Sequence, residues 1–93
     1  MSVTTSTQIE EASKKAIESM YGSNIQDFKV RVYFPYTTDP ILDRSNSADS
    51  RIDSWDVQVT FLLEENQYTV DLIILKKSGQ IIYSRLIDTM IPL

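Results

Sequence analysis

The side chains that can do chemistry in this sequence are few, because its 93 residues contain no histidine and no cysteine. Their absence excludes Ser-His-Asp and Cys-His catalysis, disulfide bonds and thiolate metal sites. Carboxylates, hydroxyls, amines and aromatic rings remain. None of them forms a recognisable catalytic motif, so we expect a protein that is not an enzyme and that uses no metal and no cofactor.

The segment from Asp43 to Asp49 is the nearest approach to a metal site. It places oxygen-bearing side chains at alternate positions, as calcium-binding loops do. Its sixth residue is Ala48 instead of glycine, and its twelfth is Ser54 instead of a bidentate glutamate. The pattern therefore fails, and we interpret the segment as a solvated loop.

Two further groups of acidic residues have simpler interpretations than catalysis. Glu64 and Glu65 fall between two strand-like segments, where solvent screens both charges and a polar turn is expected. Asp71 and Arg85 each lie in the middle of a predicted strand. An exposed cross-strand interaction of Asp71 with a basic residue such as Arg85 is the favoured interpretation, and anchoring of a ligand is the alternative.

The aromatic residues leave a second alternative open. Nine aromatic side chains in a chain of this length are typical of a packed core. Tyr36 and Trp55, however, flank the long segment between the first two predicted strands and could line a small-molecule pocket between helix and sheet.

A single helix is predicted near the N-terminus. Thr7 and Glu10 fit the capping-box pattern, and Gly22 is suited to the helix end. We expect residues 1–6 to be a flexible N-terminus and residues 7–93 to form one domain. The inward face of the helix is predicted from an apolar stripe with helical spacing: Ile9, Ala12, Ala16, Ile17 and Met20.

Alternating apolar residues then predict four strands. The first runs from Phe28 to Pro35 with Phe28, Val30, Val32 and Phe34 on one face; the others begin near Trp55, Tyr68 and Ile81. Short polar turns join the last three, and Gly79 is suited to a left-handed turn position. Residues 37–52 are predicted to be a long surface loop. The fold class expected is α+β, one helix packed on a four-stranded antiparallel meander.

The face of the sheet that the helix does not cover is the predicted interaction surface. Strict alternation places Tyr33, Leu62, Ile73 and Leu75 there. The facing of the last strand stays open between Ile82 with Leu86 and Ile81 with Tyr83 and Ile87, because a bulge after Gly79 would shift it. The apolar C-terminus, residues 90–93, is expected to fold back as an edge segment or to dock onto another chain.

The overall charge limits the class of partner. A formal net charge of −4 opposes binding to nucleic acid, which needs clustered lysine and arginine. No apolar span is long enough to insert in a membrane, and the N-terminus lacks the pattern of a signal peptide. We expect a cytoplasmic protein that binds itself, as a homodimer, or another protein.

The order of several short motifs resembles known families. A W-x-V-x-V strand at Trp55, a Y-x-V strand at Tyr68, a G-x-I turn at Gly79 and an aromatic-x-Arg strand at Tyr83 are similar to the order in gas vesicle protein O. The same order resembles the helix-plus-hairpin module of PepSY type. The first resemblance implies an accessory role in assembly instead of catalysis. The sequence departs from that family in the short connection before Tyr68 and in its apolar final strand.

The function expected from the sequence is therefore a small non-enzymatic protein-interaction or assembly module. The alternative is a small-molecule-binding domain with a pocket near Tyr36 and Trp55.

Overall fold

The computed structural model describes residues 3–37 and 53–90 of the chain. One helix, α1 (Ser6–Tyr21), precedes four strands: β1 (Gln26–Thr37), β2 (Asp53–Leu63), β3 (Asn66–Leu75) and β4 (Ile81–Met90). The strands form one antiparallel sheet in the order β1-β2-β3-β4. The predicted α+β class, a helix followed by an antiparallel meander, is confirmed. No helix among the described residues is long and apolar enough to cross a membrane.

Helix α1 begins earlier than predicted. Its capping box joins Thr5 to Gln8, instead of Thr7 to Glu10: the Thr5 hydroxyl accepts the Gln8 N–H at 3.2 Å, and Gln8 Oε1 accepts the Thr5 N–H at 3.1 Å. Both pairs have the spacing of the motif, and threonine with glutamine satisfies it as well as threonine with glutamate. Gly22 ends the helix as predicted, at φ 99°, and its N–H donates to the Glu18 carbonyl.

The segment before the helix is part of the core, although a frayed start was expected. Val3 is fully buried, and its N–H donates to the Lys76 carbonyl. Its own carbonyl accepts the indole N–H of Trp55 at 2.8 Å. Such fixed ends occur where a terminal side chain adds to a small core. Residues 1 and 2 lie outside the described residues.

The helix packs on one face of the sheet, the helix face. Ile9, Ser13 and Ile17 are its buried residues, whereas Met20 is exposed. Opposite them the alternate residues of the two central strands are buried: Val57, Val59, Phe61, Val70, Leu72 and Ile74. Tyr21 closes this core at the helix end, 5.1 Å from Phe61 between ring centroids.

Strand β1 changes its facing part-way along. Val30 lies opposite Val59 and belongs to the helix face, but Val32 lies opposite Gln58. The extra residue at this β-bulge is Arg31, and one added residue exchanges the two faces of everything that follows. The prediction that Val32 and Phe34 share the core face with Val30 is therefore wrong.

The sequence suggested that β1 ends at Pro35, but the strand does not end there. The strand continues through Pro35 to Thr37, and β2 begins at Asp53. Because β1 lies at the edge of the sheet, a residue without an N–H is tolerated there. The other residues of the predicted 37–52 loop, 38–52, and the end of the C-terminal tail, 91–93, lie outside the described residues.

Both hairpin turns are polar, as predicted, but the first is tighter than expected. Leu63 pairs with Asn66, so Glu64 and Glu65 alone make the turn, with φ values of 52° and 71°. Two positive φ values are typical of a type I′ turn, in which asparagine and glycine are preferred. In the second turn Gly79 has φ 75°, and its N–H donates to the Leu75 carbonyl, which confirms the left-handed glycine.

Candidate interaction surface

Trp55 is a structural residue of the helix face. Its indole N–H donates to the Val3 carbonyl, and the Lys76 ammonium lies 4.4 Å from the ring centroid. The ring of Tyr33 meets it edge-on at 5.6 Å. The two residues of the suggested pocket do not come together, because Tyr36 lies opposite Ser54, the neighbour of Trp55 on the other face. The small-molecule alternative therefore stays a prediction, and the structure places these two side chains on opposite faces of the sheet.

The face that α1 does not cover, which we call the open face, is divided by the register into two ends. Directly opposite residues of antiparallel strands share a face, so the ladders fix which side chains are neighbours. One row across the sheet contains Phe34, Asp56, Ile73 and Tyr83. The next row outward contains Tyr36, Ser54 and Leu75.

These rows, with Val32, form an apolar end of the open face. We define the apolar end by six side chains: Val32, Phe34, Tyr36, Ile73, Leu75 and Tyr83. Phe34 and Tyr83 are 49% and 45% exposed, whereas Ile73 between them is only 8% exposed. A buried aliphatic centre flanked by exposed aromatic rings is typical of a protein contact surface. Single apolar residues scattered over a surface are common, but a cluster of them indicates a site of interaction.

The opposite end of the open face is polar. Lys29, Thr60, Thr69 and Asp88 form one row across the four strands. Thr60 and Thr69 are buried beneath their neighbours, whereas Lys29 and Asp88 are exposed. This end therefore has charged and hydroxyl-bearing side chains where the apolar end has aromatic and aliphatic ones.

The four residues of the predicted interaction surface are separated by the structure. Ile73 and Leu75 belong to the apolar end. Leu62 lies on the same face but at the polar end, opposite Gln67 and Gln26. Tyr33 lies opposite Val57 on the helix face, so its predicted facing is wrong; the bulge at Arg31 is the reason. The same bulge brings Val32, Phe34 and Tyr36 onto the open face, and strict alternation could not reveal them.

A pair of carboxylates lies in the middle of the open face. Asp71 is directly opposite both Gln58 and Arg85, which confirms the cross-strand neighbour suggested by the sequence. Partial burial raises the pKa of Asp71 from 3.8 to about 7; a side-chain hydrogen bond to Asp56 and the charge of Asp56 add to the rise, and Arg85 opposes it. Below about pH 7 Asp71 is therefore mostly protonated, and above it the open face carries an additional negative charge.

Strand β4 is an edge strand with its side chains exposed on both faces. Helix α1 packs over the other three strands, and every residue of β4 after Ile81 is exposed. Two bulges set its facing: Ile81 opposes Ile74 and Leu86 opposes Val70 on the helix face, whereas Tyr83 opposes Ile73 on the open face. Neither of the two facings that the sequence allowed for the last strand describes it completely, because each assumed that side chains alternate between the two faces without interruption.

No protein-family model matches the chain, and neither a curated protein nor a solved structure is found to match it. The resemblance to gas vesicle protein O and to the PepSY-type module therefore stays a prediction, carried only by the motif order at Trp55, Tyr68 and Gly79.

Proposed function

We propose that the protein is a non-enzymatic protein-interaction or assembly module that binds its partner through the apolar end of the open face. The observation that carries this proposal is the clustering of Phe34, Tyr36 and Tyr83 around the buried Ile73. Aromatic side chains are enriched in the centres of protein interfaces because they bury large areas with little loss of side-chain freedom. The chemistry of the chain agrees, since no histidine or cysteine is available for catalysis.

The geometry of the surface favours a protein over a small ligand. The apolar end lies on an antiparallel sheet with a few polar groups among the rings, and such a surface meets a partner by broad contact. Asp56 lies within the same row as Phe34 and Ile73, where it gives the contact a polar group of fixed position. A partner with a basic or hydrogen-bond-donating group at this point is therefore favoured.

The test compares two exposed apolar residues on different surfaces. Phe34→Ser removes an aromatic ring from the apolar end, and Met20→Ser removes a side chain of similar exposure from the helix. The full chain, immobilised as bait, should retain a protein that is lost with Phe34→Ser and kept with Met20→Ser. The retained protein is then purified, and its affinity for the three baits is measured by calorimetry.

A loss of affinity of about 30-fold or more with Phe34→Ser alone is expected, since central aromatic residues contribute about 2 kcal/mol or more. If every binding protein, including a second copy of this chain, is retained equally by both variants, the apolar end is not an interaction surface. Circular dichroism of the two variants checks that neither change alters the fold.

A further inference from the structure

We infer that β4 pairs antiparallel with β4 of a second copy of this chain, joining two four-stranded sheets edge to edge into one sheet of a two-fold dimer. The inference rests on the proposed function, in that it names one partner of the interaction module. It depends on a second surface, the outer edge of β4, which shares only Tyr83 with the apolar end.

The two edge strands of the sheet differ in the residue types that hinder pairing with another chain. Edge strands are commonly blunted by lysine, proline and bulges, which hinder pairing with another chain. Both edge strands contain bulges, but β1 also contains Lys29, Arg31 and Pro35. Strand β4 contains no lysine, proline or glycine from Ile81 to Met90, and it exposes large apolar side chains on both faces.

The charges of β4 can pair with those of a second copy. In an antiparallel pair with its two-fold axis between Leu86 and Ile87, Arg85 lies opposite Asp88 of the second copy, and Asp88 lies opposite Arg85 of the second copy. Two opposite-charge pairs thus form from one strand sequence. The Asp88 carboxylate also accepts the Thr89 N–H at 2.9 Å, and its remaining lone pairs are suited to the guanidinium. Strand β1, by contrast, has two basic residues, Lys29 and Arg31, and one acidic residue, Asp27, so its charges do not balance.

The facing of the side chains along β4 is also compatible with this register. Residues three apart on a regular strand point to opposite faces, so Arg85 and Asp88 could not meet across such a pair. The bulge at Ile87 changes this: Arg85 opposes Asp71 and Asp88 opposes Thr69, and both partners belong to the open face. The charged residues therefore share one face.

The rest of the strand obeys the same register. Tyr83 and Met90, which would be opposite each other, both lie on the open face, against Ile73 and Gln67. Ser84 and Thr89 would also be opposite each other, and both lie on the helix face, against Leu72 and Tyr68. A shift of the register by one residue in either direction would place side chains from opposite faces of the sheet opposite each other. Neither of those two shifted registers is therefore compatible with the facing of β4.

The pairing also buries the apolar side chains that β4 exposes. Tyr83 would contact Met90 of the second copy, which is 59% exposed in the single chain. Leu86 and Ile87, each nearly half exposed, would meet at the two-fold axis. The axis is perpendicular to the sheet, so both helices lie on the same side of the joined sheet and both open faces form one continuous surface.

The first test is the oligomeric state of the full chain by size-exclusion chromatography with light scattering. The expected mass is twice that of the 10.7 kDa chain. Asp88→Lys and Arg85→Glu each place like charges opposite each other twice, so each should weaken dimerisation by about 10- to 100-fold. An equimolar mixture of the two variants restores both opposite-charge pairs and should form a heterodimer.

A second test keeps both charged residues and reads the register directly. The chain has no cysteine, so Ser84→Cys and Thr89→Cys introduce the only thiols. Directly opposite residues have Cα atoms about 4.5–5.5 Å apart, within the range of a disulfide. Under mild oxidation the mixture of the two single variants should form a covalent dimer, whereas Ser84→Cys alone should not.

Each other outcome overturns the inference. An open polymer would indicate pairing of β4 with β1. A dimer that ignores the charge variants but is lost with Phe34→Ser would lie on the open face, and it would support the proposed function while contradicting β4 pairing. A monomer that still binds a partner through Phe34 would likewise support the proposed function and contradict β4 pairing. A monomer without any Phe34-dependent partner would contradict both.

Discussion

Replacing Asp71 with asparagine should raise the stability of the protein above neutral pH. In the folded chain the pKa of Asp71 is about 7, against 3.8 ordinarily, because burial and Asp56 disfavour its charge. The native state thus holds a proton that the unfolded chain has already released. The stability that this bound proton contributes is fully present below the pKa of Asp71 in the unfolded chain, and it is lost as the pH rises towards about 7.

The size of this loss follows from the same values. Each pH unit carries about 1.4 kcal/mol, so the rise from 3.8 to about 7 corresponds to about 4 kcal/mol of unfolding free energy. Asp71 is only partly buried and water screens its interactions, which reduces the expected effect to about 2 kcal/mol. Asparagine resembles the protonated acid, since it is neutral and its amide can donate to Asp56.

Urea denaturation followed by circular dichroism at pH 4 and pH 8 measures the effect. The difference between Asp71→Asn and the unmodified protein should be near zero at pH 4 and about 2 kcal/mol in favour of the variant at pH 8. Glu10→Gln, which removes an exposed carboxylate from α1, is the control and should change stability by less than about 0.5 kcal/mol at both pH values. Parallel pH profiles for Asp71→Asn and the unmodified protein would refute the reasoning.

Three further predictions concern stability, each measured by denaturant or thermal unfolding. The Ser13 hydroxyl is buried without a partner in the part of the chain that the structure describes. Ser13→Ala should therefore stabilise the protein by about 1–2 kcal/mol, whereas the same change at exposed Ser19 should stabilise it by only about 0.5 kcal/mol. Equal gains in stability from the two variants would contradict this. Glu65 has φ 71°, so Glu65→Gly should stabilise by about 1 kcal/mol and raise Tm by about 4–8 °C, and a lower Tm would count against backbone strain. Trp55→Phe leaves the Val3 carbonyl unpaired and should cost about 1–3 kcal/mol; unchanged stability would show that this hydrogen bond does not hold the N-terminal segment.

The elements that have strong local signals were predictable from the sequence. The alternation from Trp55 onward fixed β2 and β3, and Gly79 marked a turn that only a residue tolerant of positive φ makes readily. The helix was placed correctly to within a turn, but its start was not, because Thr5–Gln8 and Thr7–Glu10 satisfy the same motif. The inward face of the helix was only partly predictable: the apolar stripe included Met20, which is exposed, and omitted Ser13, which is buried.

The facing of the two edge strands was not predictable for a different reason. A bulge adds one residue without requiring any particular residue type, so Arg31 in β1 and Ile87 in β4 carry no signal that separates them from their neighbours. Each bulge nevertheless exchanges the faces of all residues beyond it. The candidate surface therefore contains Phe34 and Tyr36 instead of Tyr33, and only the cross-strand partners in the central strand β2 reveal this.

The bulge at Ile87 also bears on whether the exposed edge is a hazard or an interface. Bulges usually protect an edge, since they disturb the row of backbone groups that another strand would meet. In β4, however, the bulge lies near the middle of the strand, where a two-fold axis would pass. There it disturbs both copies equally and aligns the faces of Arg85 and Asp88 across the pair. Arg85 and Asp88 of two copies meet as opposite charges in only one antiparallel register, so such an edge favours one closed partner, a second copy in that register, over indiscriminate pairing.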